Sequence, residues 1–343
     1  MSDLLTPAPT DGSFTRSDRD ILGCFWHPVA FAAELGDQPL AAMLLDIPLV
    51  LFRDGDRLAA AVDRCPHRGS RLSRGWMKDG QLVCPYHGLH YGLDGQCTRI
   101  PAQADSKKIS DRLRLDTFPI ATQNNLVWVC LSAEPKGPRP SWSELGDSEF
   151  QHFTLPSFAC RTSAGRYCEN FNDVAHFSWV HRGTFGLQDS AEIPSPAVAA
   201  TDTGLHHEVV YRQIDRDRFD KGEGSMTESF YRYDFALPFA NHMRIDFGAG
   251  RTQHIFSVAR PTTVNSCRIF VQILRNYDLD QPIEEAIRFE QAVAAEDLAV
   301  IEHIDPAELP LDSAGESHIW GDRWSATYRK KLKDIGLGRS DRR

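Results

Sequence analysis

Cys65-Pro66-His67 and, sixteen residues further on, Cys84-Pro85-Tyr86-His87 put two thiols and two imidazoles on two short loops. If one metal centre takes all four side chains, the chain between must leave the first loop and return to the second as a pair of strands. A tetrahedral zinc site accepts two sulfurs and two nitrogens. A [2Fe–2S] centre with thiolates on one iron and imidazoles on the other uses the same set, and its histidines raise the reduction potential over an all-cysteine cluster. One Cys and one His on each tight loop suits the second arrangement. Gly69 and Gly88 permit the turns it needs. The other six of the eight cysteines have no metal-like neighbour and read as small buried hydrophobes.

The remaining sequence sets the class. With 343 residues, 41% hydrophobic and 25% charged, the chain can bury the cores of two or three domains, which excludes disorder, collagen-like repeats and coiled coils. A net charge of −9 argues against a nucleic-acid partner. No run of 18 apolar residues offers a membrane span, and the first twenty residues lack the basic-then-apolar pattern of a leader. A cytoplasmic protein is expected.

Residues 1–20 are polar and read as a loose arm. Residues 21–135 read as β, with short apolar runs parted by Asp54-Gly55, Asp79-Gly80 and Asp94-Gly95. Three prolines in residues 134–140 mark a linker, and residues 136–343 form a second domain. In it, residues 168–181 predict a helix, five strand-like runs follow, and Pro282 opens a long helix to about residue 304. A last helix is expected over 322–335. The basic stretch from Arg329 to the C-terminus reads as a solvated end.

His176 and His181 lie five apart, a spacing that still turns both imidazoles toward one cavity on a slightly irregular helix. Two histidines and a carboxylate on one face of Fe(II) leave positions open for O₂ and substrate. The helix from Pro282 offers Glu284, Glu285, Glu290, Glu296, Asp297 and Glu302 as the acid. Asp297 follows the apolar stripe of Val293, Ala294, Val300 and Ile301, where an unpaired carboxylate is costly to bury. Periodicity alone leaves two readings open, a metal ligand or an edge residue reaching water.

The two loops resemble a Rieske domain, in the variant without the disulfide cysteines of the respiratory proteins. Residues 169–181, with Asp173, His176 and His181 spaced D-x-x-H-x-x-x-x-H, resemble the mononuclear-iron motif of Rieske non-heme iron oxygenases. Glu296-Asp297-Leu298-Ala299-Val300-Ile301-Glu302 resembles that family's C-terminal segment. The resemblance runs from Trp26-His27-Pro28 to about Tyr328 and departs at Leu89, where the oxygenases usually carry Trp.

The resemblance implies an α+β chain: an antiparallel β Rieske domain and a helix-grip catalytic domain, an antiparallel sheet packed on a long helix. It implies a Rieske [2Fe–2S] cluster on Cys65, His67, Cys84 and His87, and Fe(II) on His176, His181 and Asp297. Asp173 would be a catalytic carboxylate bridging iron-ligand His176 and, across a homotrimer interface, cluster-ligand His87. Length and the Glu169-Asn170-Phe171 lead are most similar to the short vanillate, dicamba and methylxanthine demethylases. The expected activity is hydroxylation or oxidative demethylation of a small aromatic or heterocyclic substrate, as in aromatic compound catabolism. No G-x-G-x-x-G fingerprint occurs, so NAD(P)H electrons are expected through a separate flavin/iron–sulfur reductase or ferredoxin. Two alternatives stay open: an aromatic cis-dihydroxylating dioxygenase, and a Rieske electron-transfer protein with a binding domain. A substrate pocket is expected among the strands at 200–275, with Phe235, Phe239 and Phe247 available for its wall.

Overall fold

Hairpin turns with positive φ at both central residues close the β-rich first part of the chain at Leu45-Asp46, Asp79-Gly80 and Asn124-Asn125. The computed structural model describes residues 12–214, 226–312 and 315–338. The chain divides between Ser141 and Trp142 into two units.

The first unit opens with helix α1 (Arg16–Leu22) and continues through β1 (His27–Phe31), β2 (Leu40–Leu44), β3 (Ile47–Asp54), β4 (Arg57–Val62), β5 (Trp76–Lys78), β6 (Gln81–Val83), β7 (His90–Tyr91), β8 (Cys97–Arg99), β9 (Thr117–Phe118), β10 (Ile120–Gln123) and β11 (Leu126–Val129). These strands form three antiparallel sheets, ordered β2-β3-β4-β9, β5-β6-β7-β8 and β1-β11-β10. Leu49, Val50, Leu51 and Phe52 are all inaccessible, so β3 is covered on both faces.

Two expectations change here. The arm is anchored from Ser13 onward: Ser13 Oγ and Phe14 N donate to the Asp46 carboxylate, and Thr15 caps α1. Residues 1–11 lie outside those described. The proline-rich stretch 134–140 folds back on the first unit, where Lys136 N donates to Cys24 O at 2.7 Å and the Arg139 guanidinium stacks on Trp26.

The second unit contains β12 (Gln151–Thr154), β13 (Phe158–Cys160), β14 (Ala199–Ala200), β15 (Gly204–Ile214), β16 (Met226–Ala236), β17 (Ala240–Asp246), β18 (Thr252–Thr263) and β19 (Ser266–Arg275). They form one antiparallel sheet, β12-β19-β18-β17-β16-β15-β14, with β13 also on β19. Burial alternates along β15 and β16 as a one-sided strand requires, whereas β18 is buried along most of its length. Its helices are α2 (Ala164–Asn172), α3 (Phe177–Val180), α4 (Ile283–Ile301) and α5 (Arg323–Asp334). Sheet residues Met243, Ile245 and Ile255 and α4 residues Phe289, Val293 and Ala294 line a common cavity, so the sheet grips a long helix as expected.

The helix expected over 168–181 is two helices. Asp173 is extended (φ −88°, ψ 136°), and its Oδ1 accepts from Ala175 N, which ends α2 and restarts the chain as α3. The basic C-terminal stretch is not wholly solvated: Arg329 is buried and grips Glu169 with two hydrogen bonds of 2.6 and 2.9 Å and Glu316 at 2.7 Å. Among the described residues no helix is long and apolar enough to cross a membrane.

Candidate active site

The two loops of the first unit have matching backbones. Gly69 N donates to Cys65 O and Cys65 N to Ser70 O; likewise Gly88 N donates to Cys84 O and Cys84 N to Leu89 O, all at 2.8–3.0 Å. Gly69 (φ 75°) and Gly88 (φ 67°) hold the left-handed conformation that a side chain would strain. Each loop buries its cysteine and exposes its histidine, and the His67 and His87 rings stand 4.6 Å apart. Beneath them Leu89 packs with Leu72, Leu82 and Tyr91, so the departure from Trp is a packing change. Burial, aided by the neighbouring Cys65 thiol, pushes the Cys84 thiol up, and Tyr91 Oη lies 3.1 Å from Cys65 Sγ. Paired buried thiols are held as thiolates where a metal takes their charge. The donor set therefore fits a [2Fe–2S] cluster, with the imidazole side facing solvent.

In the second unit the break after α2 places His176 at the start of α3 and His181 at its end. His176 Nε2, His181 Nε2 and Asp297 Oδ1 form a near-equilateral triangle, 3.2 Å between the nitrogens and 3.3 and 3.4 Å from them to the oxygen. Asp297 Oδ1 is buried, yet forms no aligned hydrogen bond. Such an oxygen is costly unless a cation meets it. Behind each imidazole stands another carboxylate: His176 Nδ1 is 3.3 Å from Asp173 Oδ2, and His181 Nδ1 is 2.9 Å from Glu296 Oε2. Those contacts put the N–H on Nδ1 and aim the Nε2 lone pairs at the centre of the triangle. Thr184 Oγ1 holds Glu296 Oε2 at 2.8 Å.

The electrostatics agree. Burial alone would lower the His176 pKa, but the hydrogen bond from His176 to Asp173 and the negative charge of Asp173 and Asp297 outweigh it and push it up to about 9. Burial would raise Asp297, but the two histidines hold its carboxyl well below the ordinary range. The site calls for positive charge, and a ferrous ion on these three donors fits it.

The triangle opens into a cavity of about 140 Å³, walled mainly by apolar and aromatic side chains such as Phe171, Phe177, Phe185 and Phe289. Its polar end holds a chain in which Tyr277 Oη donates to Gln253 Oε1 and Gln253 Nε2 to Glu290 Oε1. Of the phenylalanines expected there, Phe247 lines the cavity; Phe235 instead packs on Trp324 and Tyr328, and Phe239 is buried outside the wall. Asn170 also lines the cavity.

Glu296 as orienter of His181 was not legible, although its place beside Asp297 in the quoted segment was a signal. Glu302 turns away to bind Arg161 N and Nε.

The Rieske [2Fe-2S] domain family matches residues 25–119, and the vanillate O-demethylase oxygenase C-terminal domain family matches residues 160–336. Methylxanthine N3-demethylase NdmB of Pseudomonas putida is 32% identical, with 93% of this chain and 91% of that protein covered. The dicamba O-demethylase oxygenase component of Stenotrophomonas maltophilia is 26% identical over 84% and 90% of the two chains. The solved structure of Pseudomonas putida CBB5 NdmA with caffeine superposes with a TM-score of 0.82 at 28% identity, over 93% of this chain and 92% of that one.

Proposed function

The chain belongs to the Rieske non-heme iron oxygenases of the vanillate O-demethylase type, and from that premise we propose that it oxidatively demethylates a small aromatic or heterocyclic substrate in the cytoplasm. It is a terminal oxygenase of a multicomponent system, fed with NAD(P)H electrons by a separate reductase or ferredoxin. The observation that carries the proposal is the triangle of His176, His181 and Asp297 at the floor of an apolar cavity.

Cys65, His67, Cys84 and His87 would hold the cluster, and His176, His181 and Asp297 the iron. Bound there, they would supply single electrons and activate O₂. Everything else falls to the chain. Aromatic walls exclude water and stack a flat ring. The Tyr277–Gln253–Glu290 chain supplies a polar edge against which a ring carrying N–H or C=O groups can be fixed with its methyl group toward the triangle. Asp173 and Glu296 hold the two imidazole tautomers.

Asp173 supports a trimeric reading too. About a third of its side chain stays accessible while Oδ2 faces His176, which leaves room for an imidazole from a neighbouring copy. On this reading that imidazole is His87.

The overall reaction is R–X–CH₃ + O₂ + NAD(P)H + H⁺ → R–XH + HCHO + H₂O + NAD(P)⁺, with X oxygen or nitrogen. The loaded protein, coupled to a generic reductase, is screened over methoxy and N-methyl aromatic and heterocyclic compounds. One formaldehyde per NADH and O₂ consumed is expected with at least one of them. A cis-diol product without formaldehyde would assign it to arene dihydroxylation, and cluster reduction without O₂ uptake on any substrate would make it an electron carrier.

A further inference from the structure

Strand periodicity sends His242 and His254 to the face of the sheet opposite the cavity, because their neighbours Met243, Gln253 and Ile255 line that cavity. The two strands β17 and β18 pair with Arg244 opposite His254, so the two histidines are diagonal neighbours. Their rings lie nearly parallel, with His242 Nε2 2.9 Å from His254 Nδ1. Over them runs the first segment of the second unit, a short 3₁₀ turn over Ser143–Gly146. It brings a carboxylate oxygen of Glu144 to within 4.8 Å of one ring nitrogen of each histidine.

We propose that Glu144, His242 and His254 form a second metal site, for a divalent cation of the zinc class, that clamps this segment onto the back of the catalytic sheet.

Two imidazole nitrogens and one carboxylate oxygen are a donor set that Zn²⁺ accepts, with water completing the tetrahedron. Ligand nitrogens on one zinc stand about 3.3 Å apart, so the pair needs to open by only a few tenths of an ångström. Burial lowers the pKa of both rings, that of His242 to about 4, so their lone pairs are available at neutral pH. The surroundings are apolar: Phe256 stacks on His242, Phe150 meets His254 edge-on, and Trp142 packs on Phe256 at 5.1 Å. The charges that reach the pair are Glu144, Asp147 and Asp234 on one side of the balance and Arg232 and Arg244 on the other. Three acids against two guanidiniums leave a net negative surrounding, which favours a cation over a neutral occupant. All three donors belong to the second unit, and none takes part in the active site.

The holoenzyme, with its iron complement intact, is titrated with zinc chloride against a chromophoric chelator. One zinc per chain is expected beyond the iron. His242→Gln and His254→Gln should each weaken it by at least about 100-fold while iron content and the cluster signal stay unchanged. Glu144→Gln, outside the sheet, should weaken it about 10-fold and keeps the test decisive should a histidine variant fail to fold. His176→Ala, which empties the active-site triangle, should retain the zinc. Absence of zinc uptake by the wild type, or equal affinity in wild type and Glu144→Gln, would overturn the site.

Discussion

Glu296 and Asp297 are adjacent in the chain and face opposite nitrogens of one imidazole: Glu296 Oε2 lies 2.9 Å from His181 Nδ1, and Asp297 Oδ1 lies 3.4 Å from His181 Nε2. One turn of α4 thus presents both a proposed iron ligand and the group that sets the tautomer of another. The two acids separate cleanly by experiment. Asp297→Ala should leave the cluster spectrum intact and empty the mononuclear site, with no turnover, because two histidines alone bind Fe(II) weakly. Glu296→Ala should weaken iron about 10–100-fold, so that activity returns at high ferrous concentration. Iron analysis at two ferrous concentrations distinguishes them. Full iron occupancy in Asp297→Ala at the lower one would move the third ligand elsewhere.

The loops of the first unit predict a different loss. Cys84→Ser or His87→Ala removes one of four proposed cluster ligands and should abolish the Rieske electron paramagnetic resonance signal. Mononuclear iron should remain, since its proposed ligands lie in the second unit. A wild-type signal in Cys84→Ser would reject the ligand assignment.

Asp173→Asn keeps the shape of the side chain and removes its charge, and its amide presents N–H where an imidazole N–H needs an acceptor. On the proposed trimer both metals stay loaded and turnover falls by roughly two orders of magnitude or more. In a single-turnover experiment the reduced cluster should persist after O₂ and substrate are added. Rapid reoxidation with product formation would leave Asp173 as a local brace for His176.

His207 supplies a pH prediction. Its ring stacks on Tyr233 at 4.3 Å, and neither nitrogen has an aligned hydrogen-bond partner. Burial, with a smaller contribution from His206, lowers its pKa to about 3. Between about pH 6.5 and that value the unfolded chain takes up a proton that the folded chain refuses, so stability falls as pH falls, by on the order of 1.4 kcal/mol per pH unit. His207→Phe keeps the stacked ring without the titration. Its thermal midpoint should match wild type near pH 8 and exceed it increasingly below pH 6. Parallel pH curves for the two proteins would show that His207 takes no part in acid sensitivity.

The short-range chemistry was legible in the sequence alone. The cluster loops could be read because each carries its Cys and His within three or four residues, and a metal imposes that spacing whatever surrounds it. The same holds for Asp173, His176 and His181, although the break at Asp173 that aims the two rings appears only in the folded chain. Asp297 was half legible: helical periodicity placed it on the apolar stripe, but could not say whether that stripe faced a metal or the edge of the core. Only packing brought it within 3.4 Å of two imidazoles 116 and 121 residues earlier in the chain. His242, His254 and Glu144 had no signal, since each alone reads as an ordinary surface or core residue. Their convergence depends on the register of β17 with β18 and on the path of a turn almost a hundred residues upstream. Arg329 likewise reads as part of a solvated basic tail until Glu169 and Glu316 meet it in the interior. Sequence alone determined the donor types and their local spacing, because covalent geometry transmits over a few residues. Tertiary structure decided which distant charges share one buried space, because desolvation and pairing depend on neighbours that only the folded sheet and helices assemble.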